Sequence, residues 1–304
     1  MDVVLIADSI TTESVPHLLE RSVAAQPDLV SAGRTGLDHS YSVDGMTGSC
    51  YDVGYLLALM MGDDSWAAQV HTITTNTTGD GEYFDLKVDR VNDLDTAKPT
   101  EDCIGCKIQS LTIEQAPREY AKIGFSGLFT KHGSEEAALS ITIPTAADDQ
   151  PLDYGGLSAA GAFVKLGTSP GGAVQMDEIE SFKIDITREA SYGGIQVSTE
   201  QPTAINEGGR EIMVEIVKEF DVASAAEWAW FETDVDLEFD VRWDIGLNHL
   251  QIHIPTLQMV GSPLGEIGPG SDSIKYTFTL KAKGLTASII DVEMREEGSV
   301  AALW

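Results

Sequence analysis

Two cysteines and two histidines have the types and spacing that metal or redox chemistry would use. Cys103 and Cys106 form a lone Cys-x-x-Cys pair, and His249 and His253 are four residues apart. A zinc site usually needs a second ligand pair at suitable spacing, and a redox pair needs a βαβ setting that is missing around these cysteines. The histidines lie in a strand-like stretch, where such residues are about 13 Å apart and do not share an ion directly. We therefore expect two small buried residues at the start of a strand, and no metal site.

Other patterns that would support catalysis or cofactor binding are missing from the sequence. No nucleophile elbow, zinc-protease, phosphate-loop or dinucleotide motif occurs in a supporting context. Acidic pairs at 63–64 and 148–149 are typical of loop charges, although calcium sites and glycosidases also use such pairs. Asn76 begins a glycosylation sequon of a kind that arises often by chance. The expectation is a protein that is not an enzyme and needs no cofactor.

The net charge excludes further classes of function. The chain has 49 acidic and 19 basic residues, which give a formal charge of −30. Ordinary nucleic-acid binding needs cations to release phosphate counterions, and docking on anionic membranes needs them too. Two interpretations of the acidity stay open. Either one surface must pass DNA without holding it, or the whole surface is adapted to molar salt, where screening acts over about 3 Å. The spread of carboxylates along the whole chain favours the second.

Length and apolar runs limit the architecture and the location. The 304 residues could form one large β domain or two ordinary domains, and no clear linker divides them. The longest apolar run, 55–61, is far shorter than the roughly 20 residues of a membrane span. The acidic start does not look like a signal peptide. We expect a protein that is made and kept in a cytoplasm and has no membrane contact.

The periodicity predicts a mostly β fold, a sandwich or barrel-like structure with two or three short helices. Residues 1–48 are expected to be irregular with a short helix at 15–22, and a second helix is expected at 52–61 with Asp52 as its cap. A third helix is expected at 221–231 with Asp221 as its cap. Predicted strands are 69–75, 83–89, 107–114, 121–130, 139–143, 162–166, 178–188, 211–220, 235–242, 250–255, 274–281 and 287–294. A segment at 145–175, rich in Gly, Pro, Ala and Ser, joins two halves.

Strict alternation of apolar and polar residues marks the strands on both sides of that segment. Phe182, Ile184 and Ile186 point one way in such a strand, and Lys183 and Asp185 point the other way. The strands at 107–114, 121–130 and 211–220 have the same pattern. Four such strands can cover a core and present a polar wall, although a solvated sheet face is the default explanation of the pattern.

Several segments, taken in order, resemble the tail tube proteins of long-tailed, siphovirus-like viruses. GCKIQSLTIE at 105–114 and KIGFSGLF at 122–129 resemble the first long hairpin of that family. The strand at 178–188 with QPTAINEGGRE at 201–211, then LQIHIP at 250–255 and YTFTLKA at 276–282, are similar to later elements. The resemblance covers roughly residues 50–295 and depends on order and spacing. With the acidity, it points to a virus of a salt-loving, archaeal host.

This resemblance implies a structural virion protein that forms one domain over 1–304. Such proteins form hexameric rings that stack head to tail into a tube, and each subunit lends hairpins to an inner barrel that conducts DNA. Implied partners are further copies, a tape measure protein, the tail terminator and distal tail proteins, with viral DNA passing without specific binding. The arms that would reach neighbouring copies are 1–48, 145–175 and 299–304, with Leu303 and Trp304 as a candidate anchor between subunits.

A wall that passes DNA should expose carboxylates and hydroxyls rather than cations. The candidate lumen-facing residues are Ser110, Thr112, Glu114, Ser126, Asp185, Thr187, Glu211 and Glu215. Lys122 and Lys183 on the same faces contradict this interpretation unless nearby acids pair with them. Two alternatives stay open, an acidic β-sandwich that binds carbohydrate or calcium, and a β-rich enzyme of a halophile. Assembly state separates them, because only a tube protein polymerises.

Overall fold

The structure is a computed structural model, and it describes thirteen segments of the chain. One extended antiparallel sheet accounts for most of these residues. The described residues are 9–23, 26–67, 70–75, 81–88, 101–133, 151–153, 162–176, 179–196, 201–219, 224–246, 248–261, 275–284 and 290–295. They confirm the expectation of a mostly β, sandwich-like fold. None of the helices in these segments has the length and hydropathy needed to span a membrane.

Sixteen strands and two helices follow one another along the described chain. The first half contains β1 (Ser9–Val23), β2 (Gln26–Met46), α1 (Cys50–Met61), β3 (Gly62–Ala67), β4 (Val70–Thr75), β5 (Phe84–Val88), β6 (Glu101–Gln115), β7 (Lys122–Leu128) and β8 (Lys131–His132). The second half contains β9 (Phe163–Thr168), β10 (Gly172–Gln175), β11 (Ile179–Gln196), β12 (Gln201–Glu219), α2 (Ser224–Thr233), β13 (Leu237–Ile245), β14 (Asn248–Met259), β15 (Lys275–Ala282) and β16 (Asp291–Arg295).

The order of strands across the main sheet is β1-β2-β7-β6-β11-β12-β15-β14-β13-β9-β10. β6 and β11 each contain an Ile-x-Ser-[Leu/Phe]-x-Ile segment, at 108–113 and at 179–184. The two strands are direct neighbours, with Leu111 opposite Ile186 and Ile113 opposite Ile184. All four of these side chains are buried. Because side chains alternate across a strand, the residues between them must face the other side of the sheet.

The sheet folds over so that its two parts enclose one core. Phe182 of β11 lies 5.7 Å from Trp243 and 6.1 Å from Phe239 of β13, measured between ring centroids. The Trp243 indole N–H also donates to Gln115 Oε1 of β6 at 3.4 Å. These contacts join strands that are far apart in the sheet order, as in a sandwich. The helix α1 packs against strands of both parts.

The start of α1 is set by a reciprocal cap. The Ser49 hydroxyl accepts from the Asp52 backbone N–H at 3.2 Å, and the Asp52 carboxylate accepts from the Ser49 N–H at 2.9 Å. The helix at 52–61 is therefore confirmed with a slightly earlier start. The expectation that Asp52 is the cap was wrong, because Ser49 holds that position and Asp52 is the third helical residue.

Two arginines from the long β11–β12 hairpin satisfy the last carbonyls of α1. Arg188 Nη1 donates to the Met60 carbonyl at 3.5 Å, and Arg210 Nη2 donates to the Met61 carbonyl at 3.0 Å. Helix carbonyls at this end lack partners within the helix and carry partial negative charge. The last turn of α1 contains no basic residue of its own. Cations from a distant hairpin therefore hold the helix end.

The prediction for residues 1–48 was wrong. β1 and β2 form a long antiparallel hairpin instead of a loop with a helix at 15–22, and β2 pairs with β7 over Ser40–Met46. The reason is visible in β2, where His39, Tyr41 and Val43 are buried and the serines between them are not. Strand pairing across the chain outweighs the weak local preference for helix. Residues 1–8 lie outside the described residues.

The remaining predicted elements are found with shifted bounds. The helix expected at 221–231 is α2, and its proposed cap Asp221 lies outside the described residues, as does the strand expected at 139–143. The segment 145–175 includes β9 and β10 in its second half. The sequence pattern predicted no strand at β1, β2, β3, β8 or β10.

Candidate functional site

One side of the sheet contains all eight candidate wall residues. We call it the polar face, and it consists of the side chains that point away from the core in β2, β7, β6, β11, β12 and β15. Glu114, Thr187, Glu211 and Glu215 are exposed, and the other four are partly exposed. Their neighbours along each strand, such as Leu111, are buried. The alternation predicted from the sequence therefore places these eight side chains on one side of the sheet.

Strand register arranges the polar face in rows that cross the strands. The first row holds mainly hydroxyls and comprises Ser42, Ser126, Ser110, Thr187 and Glu211. The second row comprises Gly124, Thr112, Asp185, Met213 and Lys281. The third row comprises Lys122, Glu114, Lys183, Glu215 and Thr279. Opposite charges alternate along the charged part of the third row, and residues directly opposite in neighbouring strands interact most closely.

Hydrogen bonds link the hydroxyls and carboxylates between neighbouring strands. Ser110 and Ser126 share a hydrogen bond of 2.7 Å between their hydroxyls. The Thr112 hydroxyl donates to Asp185 Oδ1 at 2.7 Å. These bonds hold the polar groups in place and occupy part of their hydrogen-bonding capacity.

The lysines on the polar face are paired with acids. Lys183 Nζ lies 2.7 Å from Asp185 Oδ2, and the hydrogen bond to this carboxylate is the main cause that raises the pKa of Lys183. Lys122 Nζ lies 3.1 Å from Glu119, and Lys281 Nζ lies 2.6 Å from Glu211. Each of these three lysines therefore has a carboxylate beside it that offsets its positive charge.

A shallow depression of about 300 Å³ lies on the polar face over Gly124 of β7. Its lining includes hydroxyls of β2, β6 and β7 together with Asp44 and Glu114. The depression arises where Gly124 contributes no side chain to the row. Within the described segments, no group of three or more His, Cys, Asp or Glu side chains is arranged to hold a metal ion.

The cysteines and histidines considered for chemistry occupy separate parts of the structure. Cys103 and Cys106 are fully buried in β6, where the Cys106 thiol donates to the Cys103 carbonyl at 3.2 Å. Burial raises the pKa of the Cys106 thiol well above its usual value, which suppresses the reactive thiolate. On β14, His249 bonds to Glu293 at 2.8 Å and His253 lies 3.9 Å from Asp240.

A second polar site, the buried ion cluster of Lys107, Arg188 and Glu207, was not predicted from the sequence. Glu207 accepts from Lys107 Nζ at 2.6 Å, from Arg188 Nη1 and from the Gly81 backbone N–H at 2.8 Å. The signal was present, because Arg188 continues the buried parity of Phe182 in β11. A charged residue at a buried position indicates a paired or functional group.

The far half of the β11–β12 hairpin is fixed by the cluster and by Tyr192. The Tyr192 hydroxyl accepts from the His39 backbone N–H at 2.6 Å and donates to the His39 carbonyl. Burial raises the pKa of Tyr192 to about 12, so that this hydroxyl keeps its proton. The hairpin that carries Asp185, Thr187 and Glu211 is thus held at two positions along its length. The candidate anchor residues Leu303 and Trp304 lie outside the described residues.

Comparison with known proteins identifies a family. The sequence model of a family described as "Phage tail tube protein" matches residues 30–282, well over half of the chain. No curated protein matches. The matched range includes all eight candidate wall residues and all three residues of the buried ion cluster.

Proposed function

Because the chain belongs to the phage tail tube protein family, we propose that it forms stacked hexameric rings whose inner wall is the polar face. Viral DNA passes along this wall into the host cell. The chain acts as a structural component of the virion tail and carries out no catalysis. The observation that carries the proposal is the continuous polar face with its paired lysines.

The chemistry of the polar face suits a wall that DNA passes without binding. Proteins bind DNA mainly by neutralising phosphates with free cations. On this face Lys183 is engaged by Asp185 and Lys281 by Glu211, and neutral hydroxyls are contributed by Ser110, Ser126 and Thr187. Phosphates moving past therefore meet carboxylates and hydroxyls, which repel them or bind them weakly.

The open edges of the sheet support assembly into rings. The sheet path ends at β1 and β10, and each of these strands has only one strand partner within the described residues. Unpaired edges favour association with another chain, and closure into a barrel removes them. In the proposed ring, edges of adjacent subunits meet, and the β1–β2 hairpin and the C-terminal segment 299–304, with Leu303 and Trp304, reach neighbouring copies.

The proposed assembly sets the partners and the source. Rings stack head to tail, the tape measure protein occupies the tube during assembly in the host cytoplasm, and terminator and distal tail proteins close its ends. The resemblance of residues 50–295 to siphovirus-like tube proteins supports a long, flexible, non-contractile tail. The formal charge of −30 supports a virus of a halophilic, archaeal host.

Salt dependence tests the halophilic part of the proposal. Exposed carboxylates occur on the polar face, as at Glu215, and on other strands, as at Glu13 and Asp85. Their mutual repulsion grows when the screening length rises from about 3 Å at 1 M salt to about 10 Å at 0.1 M. The melting temperature should fall on dilution to 0.1 M salt. An unchanged melting temperature would reject salt adaptation and leave tube formation untouched.

Electron microscopy of the purified chain tests assembly directly. In about 2 M salt, where screening is short, negative staining should show rings or hollow tubes. Uniform monomers at high concentration, with added tape measure protein as well as without it, would contradict the proposal. The acidic sandwich that binds carbohydrate or calcium would then become the leading candidate.

A matched pair of lysine substitutions tests whether the polar face lines the lumen. Thr187→Lys adds a cation in excess of the acids on the hydroxyl row, because the opposite residue Glu211 already pairs with Lys281. Thr72→Lys adds a cation at an exposed position of β4, away from that face. Both variants should form tubes, but only Thr187→Lys should lower DNA ejection from assembled virions, because free cations hold phosphate. If virions with either variant eject DNA equally well, the polar face does not line the lumen.

A further inference from the structure

The buried ion cluster has more positive than negative charge. Among the described residues, Lys107 and Arg188 both pair with one carboxylate, that of Glu207. The carbonyls at the end of α1 supply only partial negative charge, equivalent to about half an electron. Within the described segments, the cluster of Lys107, Arg188 and Glu207 therefore carries one positive charge more than its negative charge.

Arg188 has two donors that the described residues leave without an acceptor. Its Nη1 donates to Glu207 and to the Met60 carbonyl, while Nε and Nη2 are buried and have no partner in the part of the chain that the structure describes. In a guanidinium, the Nε–H and the adjacent Nη2–H point outward from the same edge as a fork. Such a fork matches a single anion that accepts a hydrogen bond from each N–H.

We propose that this edge of Arg188 binds a small monovalent anion, namely chloride. The ligand must be small, because the Arg188 side chain has no exposed surface and Glu207 only 1 %. A carboxylate of another protein chain cannot reach a group that is buried to this degree. A water molecule would satisfy the N–H groups and leave the excess charge in a medium of low dielectric, where an unpaired charge is costly.

The position of the site gives the anion a structural role. Arg188 connects β11 to the end of α1 and, through Glu207, to Lys107 of β6. Neutralising the cluster stabilises this junction, which holds the far half of the β11–β12 hairpin. The stability of the chain then depends on the identity of the anion as well as on the ionic strength. This dependence does not require that the chain form tubes.

Thermal unfolding of the wild-type chain in matched sodium salts tests the site. Sodium chloride and sodium gluconate at equal ionic strength screen surface charge equally, but gluconate is too large for the buried edge. A ligand that binds only the folded state stabilises it as its concentration rises above its dissociation constant. The melting temperature should therefore be higher in chloride and rise by roughly 2–4 °C for each tenfold increase. Identical melting temperatures in the two salts would overturn the proposal.

Two further measurements locate the effect. Arg188→Lys keeps the charge and removes the fork, so that the difference between chloride and gluconate should disappear. Arg242→Lys, at a partly exposed arginine paired with Asp244, should keep it. If Arg188→Lys does not fold, anomalous scattering from wild-type crystals in bromide decides the question. A bromide peak beside Arg188 Nε and Nη2 is expected, and a cluster without bromide would refute the site.

Discussion

Strand β11 contributes residues to two ion pairs that differ in their access to water. Lys183 and Asp185 lie 2.7 Å apart on the polar face, with side chains that are 40 % and 31 % exposed. Only a few residues further along, Arg188 pairs with Glu207, and these side chains are 0 % and 1 % exposed. Both pairs join a cation to a carboxylate, but one faces solvent and the other lies against the end of α1.

This difference decides what each pair does for the protein. Water and salt screen the exposed pair, so that it contributes little stability and mainly keeps Lys183 from acting as a free cation. The buried pair has lost its hydration, and its members depend on one another. The same chemistry therefore neutralises a surface in one place and holds a hairpin in the other.

The largest expected effect comes from removing the buried carboxylate. Glu207→Gln keeps the size of the side chain and leaves Lys107 and Arg188 buried without a full negative charge. Breaking a buried pair in this way costs about 3–5 kcal/mol of the free energy of unfolding. Urea unfolding monitored by circular dichroism should show the midpoint moving to much lower urea with an unchanged slope.

The matched control is Glu211→Gln on the same strand, β12. Glu211 pairs with Lys281 at 2.6 Å, and both side chains are about half exposed. Its loss should cost less than about 1 kcal/mol. Similar losses for Glu207→Gln and Glu211→Gln would mean that burial does not separate the two sites.

A smaller effect is expected from the exposed pair of β11. A double-mutant cycle with Lys183→Gln and Asp185→Asn measures the coupling free energy, which should be about 0.2–1 kcal/mol at low salt. It should approach zero in molar salt, because the screening length is then about 3 Å. A coupling above about 2 kcal/mol that persists in molar salt would contradict the assignment of this pair to a solvated wall.

The two regions also differ in how far the sequence predicts them. Alternation along 107–114, 121–130, 178–188 and 211–220 placed the eight wall candidates on one side, because a strand puts every second residue on the same face. The buried ion cluster joins residues from β6, β11 and β12 beside the end of α1, which no local pattern relates. The charged residue at a buried position, Arg188, marked its presence but could not identify Glu207 as its partner.

The hairpin of β1 and β2 shows why part of the fold could not be predicted locally. Segment 15–22 contains good helix formers and segment 26–37 contains a proline and two glycines, so that neither has the strict alternation of a strand. Their structure depends on pairing with each other and on the contact of β2 with β7. The alternation at His39, Tyr41 and Val43 was a usable signal that the prediction of an irregular segment did not take into account.

The pair of His249 and Glu293 is intermediate between the two regions, since the histidine is 9 % and the glutamate 48 % exposed. Burial is the largest cause that lowers the pKa of His249, and the hydrogen bond to Glu293 acts in the opposite direction. The unfolded chain therefore takes up a proton at His249 at a higher pH than the folded chain does. The associated stability is fully present above about pH 6.5 and is lost as the pH falls below that value.

Two substitutions divide this pH dependence into its causes. His249→Gln removes the titrating ring and should flatten the loss of melting temperature between about pH 7.5 and pH 5, while Glu293→Gln removes the opposing hydrogen bond and should steepen it. Differential scanning calorimetry across this range measures both slopes. The effect should be small, because burial of the ring and the hydrogen bond to Glu293 shift the pKa of His249 in opposite directions. If His249→Gln left the slope unchanged, burial of the ring would not be what links this site to pH.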